Sequence, residues 1–277
     1  MESKFILFTC ICTIFCIQCK ITAVNAMVGL NVRPVEPREF SYVVSLVQRY
    51  PESFISTHNY ICTAALITRS HVLSAAHCIA NRLKSQSAIL IGSTRLSHCR
   101  VYGILWWIDY NTWGAYSRIY VRFESNDICI IKLDRETDND IVPGVLSPLH
   151  NQDLFGQNGI IAGWGRTNNG EIPNNMLKAT LKFLTLDECI GKIEIIEGRR
   201  VPIHNRHLCT DAFPFILLHE GDSGGPVVFN NMIVGVNIAT CPLPHILIHP
   251  GKVNLHLGID YYRTFIAAVT SNNFTWQ

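Results

Sequence analysis

No block of basic residues interrupts this sequence, no segment repeats at a fixed period and no stretch is of low complexity. The first absence removes the reason to expect a nucleic-acid partner. The 23 Lys and Arg residues face 21 Asp and Glu, a net charge of +2, too even to track a phosphate backbone. The lack of a repeat excludes solenoids and propellers, whose units recur along the chain. Past residue 26 no two cysteines stand at the close spacing of a zinc-ligand pair, so neither a metal nor any other cofactor is expected. Long apolar runs are confined to one place, Phe5 to Cys19, and that run is short of the ~20 residues a membrane span needs. It follows Lys4 and is closed early by Lys20, and Val24-Asn25-Ala26 puts small residues where a signal peptidase cuts. Residues 1–26 therefore read as a signal peptide, with an uncleaved anchor as the alternative. The chain from Met27 is expected to be secreted, extracellular, off the membrane after cleavage, and monomeric.

What remains is a chain of 277 residues, 48% of them apolar, enough for one globular unit with two small subdomains and a real core. Strand-like runs are short and frequent: Ser41–Gln48, Tyr60–Ile67, Ala88–Gly92, Ile128–Leu133, Gly159–Ala162, Met176–Phe183, Pro226–Phe229 and Ile233–Ile238. Turn residues separate them, a pattern that predicts an all-β barrel architecture. Gly170 to Asn175 and Gly191 to Asn205 read as exposed loops, the second carrying Arg199-Arg200 as a nicking site. Of the eleven cysteines, Cys10, Cys12, Cys16 and Cys19 fall in the leader, and Cys62, Cys78, Cys99, Cys129, Cys189, Cys209 and Cys241 remain. Secretion favours disulfides among these, and the odd count leaves at least one thiol. Cys129 lies in an apolar run and reads as a buried free thiol.

The most informative stretch is Gly221-Asp222-Ser223-Gly224-Gly225-Pro226. A serine hydroxyl is a poor nucleophile until a base takes its proton and backbone N–H groups hold the oxyanion that forms. Glycines allow the tight turn that aims such groups. A Gly-rich surface turn is the alternative reading. The base would be His77, in Ser74-Ala75-Ala76-His77-Cys78, and the orienting carboxylate Asp127, in Asn126-Asp127-Ile128-Cys129. Eleven histidines are present, and Asp127 alone could be a strand-end cap, so each residue depends on its context.

In that order and in those contexts, His77, Asp127 and Ser223 resemble the chymotrypsin-like, trypsin-fold serine proteases. Gly163-Trp164-Gly165 resembles the family's Gly-Trp-Gly segment, Phe40 to Leu46 its first strand, Pro250-Gly251 the entry to its last strand, and Tyr261 to Val269 its C-terminal helix. The likeness runs from about Met27 to the end. It implies two packed six-stranded antiparallel Greek-key barrels, about 27–140 and about 141–259, and a C-terminal helix at about 260–270. It implies a triad of Ser223 as nucleophile, His77 as base and Asp127 as orienting carboxylate, with the N–H groups of Gly221 and Ser223 as the oxyanion hole. It implies disulfides Cys62–Cys78 and Cys189–Cys209, protein or peptide substrates, and protein protease inhibitors as partners. It also implies an activation pocket in which the ammonium of a mature Met27 pairs with Asp222. A signal-peptidase cut after Ala26 would make that terminus directly, and a cut after Lys20 is the competing possibility.

The departures cluster at the cleft. The floor of the primary specificity pocket, six residues before Ser223, is Leu217, where trypsin-like members carry an aspartate; Gly251 belongs to the same pocket by resemblance. His219 stands in place of a bridge cysteine, which leaves Cys241 without its usual partner. No Ser-Trp-Gly is present; Gly235 to Cys241 occupies that region in an ambiguous register. The family's Cys-Gly-Gly-Ser has become Cys62-Thr63-Ala64-Ala65, and Leu30 stands where a glycine is usual. The expected function is a secreted serine endopeptidase of non-trypsin-type primary specificity. The rival is a protease-fold binding protein with weak or no turnover, acting as decoy, cofactor or secreted effector. Asn273-Phe274-Thr275 permits an N-glycan.

Overall fold

A computed structural model describes residues 27–49, 57–121, 125–242 and 248–276; the expected leader lies outside these residues. Alternating and continuous apolar runs rich in Val, Ile and Leu form two antiparallel β-systems, as the short, turn-bounded segments predict. The first orders its strands as Arg100–Tyr102, Ser87–Ile91, Val43–Gln48, Tyr60–Thr68, His71–Ser74, Cys129–Leu133 and Ile104–Asp109. The two edge segments are consecutive in the chain and meet at Gly103. One bent strand therefore runs along both edges and curls the sheet. Gly103 sits at the bend against Asp134, whose Oδ2 would lie 2.3 Å from any added Cβ. Leu46, Leu66, Leu73, Ile89, Ile91 and Ile130 fill the interior, none of them accessible to solvent.

The second system closes fully. Met232–Cys241 pairs with Pro226–Phe229 on one side and Val253–Gly258 on the other. The circuit continues through Asn158–Gly163, Leu177–Leu184 and His207–Asp211. Ile161, Leu181, Phe183, Leu208 and Val227 pack inside it. The N-terminal stretch joins this barrel: Arg33–Pro34 pairs with Leu177–Lys178, and Val28–Gly29 pairs with Ile216–Leu217. The C-terminal helix, Arg263–Thr270, follows a single 3₁₀ turn at Ile259–Tyr262. It lays Phe265, Ile266 and Val269 against the core of the first sheet, tying the end of the chain across to the opposite half.

One expectation is corrected. Residues 191–197 belong to a helix, Leu186–Glu197, rather than to a loop. Thr185 and Glu188 cap its start reciprocally, and Gly198 ends it in the left-handed conformation at φ 68°. The helix buries only Cys189 and Ile193, so its apolar signal is faint and its caps carry the information. Both expected disulfides are present, Cys62–Cys78 and Cys189–Cys209. Cys99, Cys129 and Cys241 are free thiols, and Cys129 is fully buried as its apolar surroundings predict.

Candidate active site

His77 and Asp127 meet because of strand register. His71–Ser74 runs antiparallel to Cys129–Leu133 with Ser74 opposite Cys129, so the residues just past each strand end lie side by side. His77 sits in the 3₁₀ turn Ala76–Cys78, which the Cys62–Cys78 bridge pins to the Tyr60–Thr68 strand. Asp127 grips it twice. Its Oδ1 accepts the backbone N–H of His77 at 2.8 Å, and its Oδ2 lies 2.6 Å from His77 Nδ1. A carboxylate at Nδ1 holds the ring proton there and leaves Nε2 with its lone pair, the tautomer a general base needs. Nε2 stands 3.8 Å from Cys78 Sγ. Cys62, His77 and Cys78 cluster closely enough to suggest a metal site, but both sulfurs are spent in the disulfide and offer no thiolate.

Ser223 lies on the facing loop. His77, Ser223, Gly221, Tyr60, Arg82 and Arg166 are among the residues lining one cavity of about 300 Å³. Among the described residues Ser223 Oγ has no hydrogen-bond partner, so the Ser223–His77 contact is open while the His77–Asp127 contact is closed. The loop backbone is unusual in the same way. Asp222 N–H bonds to His219 O, Gly224 N–H to Asn237 O and Gly225 N–H to Asp222 O. The N–H groups of Gly221 and Ser223 have no acceptor among the described residues. Two unpaired donors flanking one hydroxyl form an anion-receiving site. The turn requires glycine at Gly221 and Gly224, whose φ values are 93° and 79°. At Gly224 an added Cβ would also come within 2.2 Å of Ser74 Oγ.

A model of the family described as Trypsin matches residues 30–248. This chain belongs to the trypsin family of serine proteases. Among its relatives, chymotrypsin-2 of Vespa crabro is 29% identical over 205 residues, which is 72% of this chain and 82% of that protein. Fibrinolytic enzyme, isozyme C, of Lumbricus rubellus is 26% identical over 239 residues, 80% of this chain and 94% of that protein. Neuropsin, a serine protease expressed in the limbic system of mouse brain, shares the trypsin fold with a TM-score of 0.68 at 22% identity, over 87% of this chain and 99% of that structure.

The trypsin-family motifs have visible physical reasons here. The Gly163-Trp164-Gly165 segment makes room for Asp222: the Gly165 N–H donates to its Oδ1 at 3.1 Å, and a Cβ at Gly165 would sit 2.3 Å from the carboxylate. His219 N–H supplies the second donor at 2.9 Å. Asp222 is 1% exposed, and burial pushes its carboxyl up to about 7. Met27 is buried in the core of the closed barrel, and Asn168 clamps the next-but-one residue by bonding both Gly29 N–H and Gly29 C=O.

The expected specificity pocket is built differently from its motif. Leu217 is 2% exposed, with Asn254 bonded to the backbone on both sides of it, accepting from Leu218 N–H and donating to Ile216 O. Gly251 instead lies against His249 and Ile196. In place of Ser-Trp-Gly, Asn237 donates to Asp222 O and meets His256 Nδ1 at 2.8 Å, and His256 Nε2 meets Thr210 Oγ1. Burial lowers His256 to about 3, so this buried ring is neutral. Asn254 and His256 are not signalled by any local motif; only the closing of the barrel brings them beneath the loop of Ser223. Cys241 packs with the Cys189–Cys209 bridge and Val253 rather than with His219.

Proposed function

We propose that the chain is a secreted serine endopeptidase that cleaves peptide bonds through an acyl-enzyme, with a primary specificity unlike that of trypsin. Ser223 Oγ attacks the scissile carbonyl carbon, and its proton passes to His77 Nε2. Asp127 stabilises the imidazolium, and the N–H groups of Gly221 and Ser223 receive the oxyanion. His77 then protonates the departing amine, and water repeats the sequence on the ester. The observation that carries this reading is the pairing of a doubly held His77 with two acceptor-free N–H groups around Ser223. The open Ser223–His77 contact is compatible with this scheme, since such bonds often tighten only when substrate binds.

Leu217 offers no charge to an Arg or Lys side chain, which supports an apolar or small residue before the scissile bond. A cleavage profile over a peptide library tests this, and a dominant preference for Arg or Lys would refute it. Maturation by signal peptidase after Ala26 would create the Met27 ammonium beside a strand already paired with Ile216–Leu217. It would also give buried Asp222 the cation it lacks among the described residues. Sequencing the N-terminus of the secreted protein tests this, and a start other than Met27 refutes it.

A fluorophosphonate probe tests the activity itself. Labelling at Ser223 that disappears in His77→Ala supports the endopeptidase. A folded protein that stays unlabelled points to the binding-protein reading, which the tightly filled pocket floor favours.

A further inference from the structure

The replacement of Cys-Gly-Gly-Ser by Cys62-Thr63-Ala64-Ala65 is the departure that the reaction scheme leaves unexplained, and the structure gives it a place. Thr63 has no exposed surface. Its N–H donates to Gly221 O at 2.8 Å, and its hydroxyl reaches the same oxygen at 2.9 Å. Tyr60, three residues earlier on the same strand, brings its phenol to 3.0 Å from Gly221 O and 2.5 Å from Thr63 Oγ1. Three donors therefore converge on one carbonyl with two lone pairs. The two hydroxyls hold two protons for three contacts. One arrangement satisfies all groups: the amide and one hydroxyl donate to the carbonyl, and the second hydroxyl donates to the first. Burial pushes the Tyr60 phenol well above its ordinary value, so it stays a neutral donor.

The extra side chain fits because glycines face it. An added Cβ at Gly163 would lie 2.6 Å from Thr63 Oγ1, and one at Gly225 3.0 Å from Thr63 Cγ2. The Tyr60 ring covers Gly221 closely enough that a Cβ there would meet it at 2.6 Å. Thr63 and Tyr60 thus fill a slot between the Gly-Trp-Gly segment and the loop of Ser223.

The position of that carbonyl matters. The Gly221–Asp222 peptide is the middle one of three. The peptide before it carries the Gly221 N–H, and the peptide after it carries the Ser223 N–H, the two donors without an acceptor. Both flanking planes turn relative to the middle one, through φ and ψ of Gly221 on one side and of Asp222 on the other, so holding the middle plane restrains the direction of both flanking N–H groups. Gly221 has φ 93° and no side chain, so nothing within the residue itself restrains it. Asp222 is held from the closed barrel, by Gly165 and by Asn237. Gly221 is held from the other sheet, by Tyr60 and Thr63.

We propose that Tyr60 and Thr63 are positioning residues of the oxyanion hole: a two-hydroxyl clamp from the first sheet that aims the Gly221 and Ser223 N–H groups. The catalytic part rests on the protease reading above; the clamp itself does not. Since an oxyanion donor is worth about 10²–10³ in rate, a hole that is present but poorly aimed loses a part of that. Thr63→Val and Tyr60→Phe each lower kcat about 10-fold, and the double variant about 100-fold, with KM unchanged. Thr63→Ser restores the wild-type rate. Affinity for a peptide boronate, which forms the tetrahedral adduct, falls with kcat, while affinity for a cleaved product peptide does not.

The test has two arms on the secreted protein, with thermal unfolding followed to confirm that each variant is folded. Amide hydrogen exchange reads the clamp without any need for turnover. The Thr63 N–H, the third group on the carbonyl, exchanges at least about tenfold faster in the double variant, while amides of Ser87–Ile91, two strands away in the same sheet, do not change. Fluorophosphonate labelling and kcat read the consequence. Unchanged Thr63 exchange overturns the clamp. Faster exchange with unchanged kcat in a labelled enzyme overturns the positioning role. Faster exchange in a protein whose wild type never labels leaves the clamp standing and overturns the protease reading alone.

Discussion

The two halves of this molecule contribute to the cleft in different ways. The first sheet fills its interior mainly with apolar side chains, and the proposed His77–Asp127 pair sits on its rim, the two side chains 46% and 28% exposed. The closed barrel carries its chemistry through its interior. Thr210, His256, Asn237 and the Asp222 backbone form a buried polar file that ends beneath Ser223, with Asn254 beside it bridging the pocket floor. Rim groups can be altered without opening the core. Groups in a buried file cannot lose a partner without leaving another polar atom unpaired in low dielectric. Function and stability are therefore separable at the exposed His77–Asp127 pair and joined along the buried polar file.

The largest effect expected is on the rim. Asp127→Asn forces the wrong tautomer on His77 and lowers kcat by roughly 10⁴-fold. Because Asp127 is partly exposed, the melting temperature stays close to that of the wild type. Kinetics and calorimetry on the same sample check both parts, and a large loss of stability would break the contrast between the halves.

Asp222 should show the opposite coupling. Its carboxyl is raised to about 7 from an ordinary 3.8 by burial. The folded chain therefore holds a proton that the unfolded chain releases between those values. The sign follows: for a chain extended before Met27, stability falls as pH rises from about 4 to about 7, by up to about 4 kcal/mol. A chain starting at Met27 supplies an ammonium and reduces that fall, and Asp222→Asn flattens it in both forms. Urea denaturation across this pH range measures it, and equal slopes for the two chain starts would remove the proposed ion pair.

Asn254→Ala strips both partners from the backbone around Leu217, and His256→Ala strips Thr210 and Asn237. Each is expected to destabilise by about 2–4 kcal/mol, since buried donors and acceptors are left unpaired. The denaturant midpoint reports this, and shifts equivalent to less than about 0.5 kcal/mol would show that the file is not structural. The smallest effect belongs to the thiols. Cys129→Ala removes a single sulfur atom from a dry core and one weak bond to Ala75 O. It should cost about 1 kcal/mol and leave labelling of Ser223 unaltered.

Much of the framework was legible residue by residue. Pro226–Phe229 is the strand its apolar run announces, Tyr60–Ile67 stops one residue short of the observed strand, and Ala88–Gly92 is shifted by one residue from it. The strands Ile104–Asp109, His207–Asp211 and Val253–Gly258 were less visible. Thr210, Asn254 and His256 break the expected apolar pattern, because neighbouring strands satisfy polar groups that look like loop residues in isolation. The helix Leu186–Glu197 was missed for a related reason: only two of its residues are buried, so its identity rests on Thr185, Glu188 and Gly198 at its ends.

By itself the sequence determined the family, because short runs of residues carry its motifs; the two disulfides and the groups proposed to react followed from that resemblance. Tertiary structure alone decided how those groups are held. The double grip of Asp127 on His77 comes from strand register, the occupant of the pocket floor from barrel closure, and the three groups gathered at Gly221 O from two sheets meeting across a slot left by glycines. These contacts join residues far apart in the chain, and their free energies depend on burial and direction, which no local pattern of residues encodes.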